Sequence, residues 1–191
     1  MKKLLLATGL SAALLIPSLS QAATYEIDTQ DAHAFIQFKI QHLGYSWLLG
    51  RFNTFEGQFE WDAKAPEKSS IQVTIDTASV DSNHAERDKH LRSADFLNVG
   101  KHPKSTFKST GYKATSANEG VLSGDFTLNG VTKNISFPVK VVGEGEDPWG
   151  GYRAGFEGKT TLKLADYGIN YNLGPASTEV EIELHVEGIR K

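Results

Sequence analysis

Residues 178–189 read TEVEIELHVEGI. Val180, Ile182, Leu184 and Val186 alternate with Glu179, Glu181, Glu183, His185 and Glu187. Strict alternation sets one apolar face against a core and one charged face in water, as in a half-buried strand. The same period runs back through most of the chain. Residues 152–164 place Tyr152, Ala154, Phe156, Gly158, Leu162 and Leu164 in phase, and residues 131–141 place Val131, Ile135, Phe137, Val139 and Val141 in phase. Residues 120–128 do the same with Leu122, Gly124, Phe126 and Leu128. Asn129-Gly130 between the last two runs predicts a two-residue hairpin, because a type I′ turn needs positive φ at both positions. Residues 105–112 form a strand with Phe107 inward.

Further upstream, Ile71, Val73 and Ile75 mark a strand ending near Val80. Residues 51–61 put Phe55, Gly57, Phe59 and Trp61 on one face, and residues 32–42 do so with Ala34, Ile36, Phe38 and Ile40. Residues 24–28 are a short first strand. Residues 44–50 break the alternation, so Trp47-Leu48-Leu49 reads as an apolar loop patch, either a lid over a barrel mouth or a plug. Residues 144–151 and 165–177 read as irregular connections, the second with the breaker pair Gly174-Pro175.

About eight long strands, each with one apolar face, end as a sandwich or a closed barrel. Strand length, short connections and the inward glycines Gly57, Gly124 and Gly158 favour an eight-stranded antiparallel β-barrel, glycine being suited to tight barrel bends. Eight strands leave room for packed side chains or for one small ligand.

One stretch departs from the pattern. Residues 83–107 read NHAERDKHLRSADFLNVGKHPKSTF and hold His84, His90 and His102, three of six histidines. Asn83 and Glu86 have the spacing of a capping box, and Asp88 and Arg92 the i,i+4 spacing of a helical ion pair. This predicts a helix of roughly three turns within residues 83–96, inserted between strands. His84 with Asp88, and Glu86 with His90, invite a metal reading. No zinc-site spacing is present, and Arg87 and Lys89 stand among them to repel a cation, so no metal site is expected. No GxSxG nucleophile elbow and no phosphate-cradling loop occur. Arg87, Lys89, His90 and Arg92 are candidates to contact the head group of an amphipathic ligand.

Met1-Lys2-Lys3, the apolar residues 4–15 and the small-x-small run Ser20-Gln21-Ala22 predict a secretory signal cleaved after Ala22, with residues 23–191 as one domain and the periplasm as destination. Losing Lys2 and Lys3 makes the balance more acidic than the −3 of the whole sequence, which argues against nucleic acid and anionic membranes as primary partners. The absence of cysteine excludes disulfides and thiolate chemistry.

Phe38, Phe59, Trp61, Phe107, Phe126, Phe137 and Phe156 all fall on apolar faces. Aromatic rows at period two suit a packed core and a hollow pore alike.

Several motifs together carry a family likeness: His33-Ala34-Phe35, residues 41–47 (QHLGYSW), residues 83–97, residues 128–133 (LNGVTK), residues 147–151 (DPWGG) and residues 173–177 (LGPAS). In this order the chain resembles the YceI family of periplasmic proteins. The resemblance implies a lipocalin-like barrel whose pore binds a polyisoprenoid, isoprenoid quinone or fatty-acid-like lipid. The candidate ligand-binding residues in such a pore, from strand phase and from the chemistry of the insert, are Phe38, Trp47, Phe59, Trp61, Phe107, Phe126, Phe137 and Phe156, with Arg87 and His90 as further contacts. It also suggests a cytochrome b561-type membrane partner. The chain has no haem motif and no lipocalin G-x-W near the first strand, and no cofactor is expected. Two alternatives stand beside lipid binding. One is an enzyme acting on such a lipid through His84, Asp88 or His90. The other is a stress-related interaction protein with a dry core.

Overall fold

The structure, a computed structural model, describes residues 22–191. The expected signal segment lies outside the described residues up to Gln21. The described residues form eleven strands: β1 (Ala23–Ile27), β2 (Phe35–His42), β3 (Ser46–Phe52), β4 (Phe55–Trp61), β5 (Ser70–Asp76), β6 (Val80–Asp81), β7 (Lys104–Ala114), β8 (Glu119–Leu128), β9 (Val131–Glu146), β10 (Tyr152–Lys163) and β11 (Glu179–Arg190). Every pairing is antiparallel.

The register reduces these pieces to eight. β11 pairs with β1 through Gly188 to Arg190 and with β2 through Val180 to His185, so β1 and β2 are two halves of one interrupted strand. β3 pairs with β2 and β4 pairs with β1, which makes β3 and β4 a second such strand, broken at Asn53-Thr54. β5 pairs with β4 and β6 with β3, giving a third. β7 to β11 continue as a meander, and the β1–β11 contact closes an eight-stranded barrel. Closure leaves the barrel without the long open edges that invite association.

Three sequence expectations are corrected. Residues 46–52 are strand β3, not a loop. Leu48 turns inward there, whereas Trp47 and Leu49 face solvent. β9 runs on to Glu146, so the connection to β10 is only residues 147–151. The helix α1 covers Ala85–Arg92, about two turns rather than three. Its N-cap is His84, whose Nδ1 accepts from Arg87 N at 3.3 Å, while Asn83 adopts a left-handed φ of 61° and caps nothing. At the predicted hairpin, Asn129 (φ 49°) and Gly130 (φ 76°) adopt the positive φ values that a type I′ turn requires.

Asp88 and Arg92 do not pair with one another. The Asp88 carboxylate is buried and accepts from Ser82 N at 2.8 Å and Ser82 Oγ at 2.5 Å. Arg92 donates to Ala78 O and Val80 O, both at 2.7 Å, and Arg87 donates to Ser82 Oγ and Ser82 O. The helix is therefore fastened by side chains that satisfy barrel backbone, a stronger attachment than exposed ion pairs supply. Strand β6 is only two residues long, and the α1 segment takes up the wall where β6 leaves the sheet before β7 begins.

Two apolar clusters pack inside the barrel. One gathers Tyr25, Ile27, Phe59, Trp61 and Val73 around β1, β4 and β5. The other gathers Phe96, Leu97, Leu128, Leu162, Tyr167 and Val180 beside the α1 segment.

Candidate functional site: an apolar cavity in the barrel

The barrel is hollow between these clusters. A cavity of about 400 Å³ runs along its interior, a volume within the range of small-molecule sites. Its wall comes from the inward face of nearly every strand: Ile36, Phe38 and Ile40 of β2, Val73 and Ile75 of β5, Leu122 and Phe126 of β8, Ile182 and Leu184 of β11. Polar side chains are few. Ser105 donates to Thr127 O at 2.6 Å and so presents a satisfied hydroxyl. His42 at the end of β2 and Arg87 and His90 on α1 also line it.

A second void of about 80 Å³ lies at the other end, lined by Phe59, Trp61, Tyr112 and Phe156 among others. The rings there pack on one another. Phe59 stacks on Tyr25 at 4.9 Å, and Phe156 meets Phe59 and Trp61 edge-on at 5.3 and 5.0 Å. Trp61 Nε1 donates to Glu144 at 2.7 Å, which satisfies the indole that burial would otherwise penalise.

The residues singled out in the sequence thus divide three ways. Phe38, Phe107, Phe126 and Phe137 line the larger cavity, as do Arg87 and His90. Phe59, Trp61 and Phe156 line the smaller void, with Phe137 facing both. Trp47 lines neither: on the outer face of β3 it is 48% exposed, with the Lys39 ammonium 4.9 Å from its ring centroid.

The α1 residues weighed for chemistry are also separated. His84 caps the helix, Asp88 is bound to Ser82, and only His90 reaches the cavity. His90 Nε2 lies 3.0 Å from Asp95 Oδ2, and its ring meets Phe96 and Tyr171 edge-on at 4.9 Å. Arg87 lines the cavity and forms no ion pair among the described residues.

A charged cluster that the sequence reading missed stands where β1 passes into β2. Arg153 of β10 donates to Asp28 at 2.6 Å, Glu187 at 2.5 Å and Asp147 at 2.9 Å, and His33 Nδ1 lies 2.9 Å from Asp28. Burial pushes the Asp28 carboxyl up, but hydrogen bonds from Arg153 and His33 outweigh it and hold Asp28 below the ordinary range. The Asp28 hydrogen bond raises His33, and the Gly151 amide is the main cause that lowers Asp147. Donor atoms of Asp28, His33 and Glu187 lie within 4.8 Å of one another, close enough to suit a metal ion. The Arg153 guanidinium already supplies positive charge to two of these three, so the cluster reads as a structural ion-pair knot. Asp28 and Arg153 are 125 positions apart, and no local spacing announces their meeting.

Comparison with known proteins places this barrel. The YceI-like domain profile matches residues 25–188. The chain belongs to the YceI-like family. UPF0312 proteins of Pseudomonas aeruginosa are 58% identical to it over 191 residues, covering all of both chains, and one from Shewanella sp. strain ANA-3 is 55% identical over the same span. Among solved structures, the Campylobacter jejuni YceI protein superposes with a TM-score of 0.72 at 27% identity, covering 80% of this chain and 90% of that one. A polyisoprenoid binding domain from Saccharophagus degradans shares the fold with a TM-score of 0.69 at 17% identity, covering 88% and 99%. The YceI barrel described here is thus closed, antiparallel and eight-stranded, with one helix set between strands.

Proposed function

We propose that this protein binds a long apolar ligand, a polyisoprenoid, isoprenoid quinone or similar long-chain lipid, inside the barrel and carries it through the periplasm. The observation that bears most weight is the cavity of about 400 Å³ with an almost wholly apolar wall. Such a wall rewards hydrocarbon and penalises any polar group left without a partner. Arg87 and His90, one turn apart on α1 and both lining the cavity, fit the head of an amphipathic molecule whose tail lies along Phe38, Phe107 and Phe126. The Saccharophagus degradans domain of the same fold is described as polyisoprenoid-binding, which supports this ligand class. A dry-core interaction protein does not suit a barrel with so large a void.

Release of lipid from protein purified under native conditions, followed by mass spectrometry of the extract, tests the reading. A long-chain species at near-stoichiometric amount is expected; protein that neither carries lipid nor takes it up overturns it. Export belongs to the same proposal: protein recovered from the periplasm should begin at Ala23. A cytochrome b561-type membrane partner is proposed on the family resemblance, and co-purification of such a cytochrome from solubilised membranes tests it. The reading assigns no catalysis. Of the residues considered for turnover, His84 and Asp88 serve the helix and its anchor, and only His90 touches the cavity.

A further inference from the structure

Five residues line both voids: Ile71 of β5, Leu122 of β8, Phe137 of β9, and Leu184 and Val186 of β11. They come from strands around the barrel and form a partition across it. Phe137 is its one aromatic member and is only 4% exposed. Its position is braced. Phe107 packs against it with ring centroids 5.7 Å apart. On the β10 side the ring lies against Gly158, where an added Cβ would stand 3.3 Å from Phe137 Cε2. A Cβ at 158 would press on the ring and require it to shift by a few tenths of an ångström.

The space beyond the partition is far smaller than the space before it, about 80 Å³ against about 400 Å³, so it offers a chain little further room. Its wall is apolar too, built from Phe59, Trp61, Tyr112 and Phe156 beside the shared residues.

We propose that Phe137 sets the greatest chain length the barrel accepts: a ligand tail runs from the Arg87 and His90 end and stops against this ring. The inference rests on the lipid-binding reading above. Each further methylene buried adds to affinity only while the cavity has room for it, so length selectivity belongs to the residue that ends the cavity. Phe137 acts as a specificity-determining residue, and Gly158 positions it.

The test uses the full mature protein and three probes of one chemistry and increasing length: farnesol, geranylgeraniol and solanesol. Dissociation constants come from competition against a bound fluorescent fatty acid. For the unsubstituted protein, affinity should rise with length and level off within the series; a continuous rise through solanesol overturns the proposal. Phe137→Ala joins the two voids, and Phe137→Leu opens the partition with less loss of packing. Either variant, if folded, should shift the preference for the longer over the shorter probes by about tenfold, the gain from burying a few more methylene-sized groups. Folded variants with an unchanged length profile overturn the assignment of Phe137 while leaving lipid binding intact. If the unsubstituted protein takes up none of the probes, the lipid reading fails and the length limit fails with it.

Discussion

Phe38 lies over Gly50. The two face each other across the β2–β3 pairing, and a Cβ at Gly50 would collide with the far edge of the Phe38 ring. The glycine therefore holds open a place for an aromatic ring against the barrel wall. Gly124 does the same for Phe107. Gly50→Ala should swing the Phe38 ring into the cavity. Because the ring has that void to move into, the stability cost should be about 1 kcal/mol, at the low end for added core volume. Uptake of a long-chain lipid should fall far more than stability does. Chemical denaturation beside a lipid-binding titration separates the two effects.

Wall rings and packed rings should respond differently to truncation. Phe59 is 4% exposed and held between Tyr25 and Phe156, so Phe59→Ala should cost about 3–5 kcal/mol by urea denaturation. Phe126 borders the cavity, and Phe126→Ala should cost less than that, because the void beside it already exists. Equal losses for the two would mean that the barrel is filled around Phe126.

A charge in the wall is a sharper probe. Phe126→Glu should give a weakened but folded protein that no longer co-purifies with lipid, since a carboxylate can hydrate in a wide pore and cannot in a dry core. Trp47→Ala is the matching control. It removes a ring on the outer face of β3 and should leave lipid uptake unchanged. A folded Phe126→Glu protein that retains lipid removes Phe126 from the site.

The knot around Arg153 contributes to the pH dependence. Asp28 and Asp147 are held below their ordinary values, so their contribution is complete above the unfolded carboxylate range and is lost as pH falls through their lowered values. His33 is raised, so its contribution is complete below about 6.5 and is lost as pH rises through its folded value. Arg153→Met should cost about 2–3 kcal/mol near neutrality, less than a fully buried pair because Glu187 is partly exposed. It should also flatten the acid limb of a melting temperature against pH curve. An acid limb of unchanged slope in this variant would show that the knot does not govern it.

The anchor of α1 gives a local prediction. Asp88→Ala leaves the buried Ser82 amide without its acceptor, and should cost about 1–3 kcal/mol. Amide hydrogen exchange should show the loss centred on residues 80–97, with β9 and β10 unaffected.

Much of this was legible in the chain. The period-two runs of residues 120–128, 152–164 and 178–189, and the Asn129-Gly130 turn, read directly as barrel strands because each shows water one polar face. Residues 46–52 did not, because Trp47 and Leu49 face outward and Leu48 inward, so the apolar positions lose their alternation. The i,i+4 spacing of Asp88 and Arg92 misled for a different reason: Ser82 and the backbone carbonyls of Ala78 and Val80 are better partners than either is for the other. Inward aromatics could be identified by phase, but phase does not say which ring packs and which borders a void. That division depends on how far apart the walls stand, and the Arg153 knot depends on strands meeting across the whole chain.

The closure of the barrel has a kinetic side. Tyr25 pairs with Arg190, so the seam joins the first described strand to the last. That contact cannot form until β11 exists, and it carries the entropy of closing nearly the whole polypeptide into one loop. Until then both seam strands offer unpaired backbone to any neighbouring chain. Assembly should therefore be slow for a chain of this size, with association between partly folded molecules as its chief competitor. The interval before β11 docks is when this protein is most in need of being kept apart from its own copies.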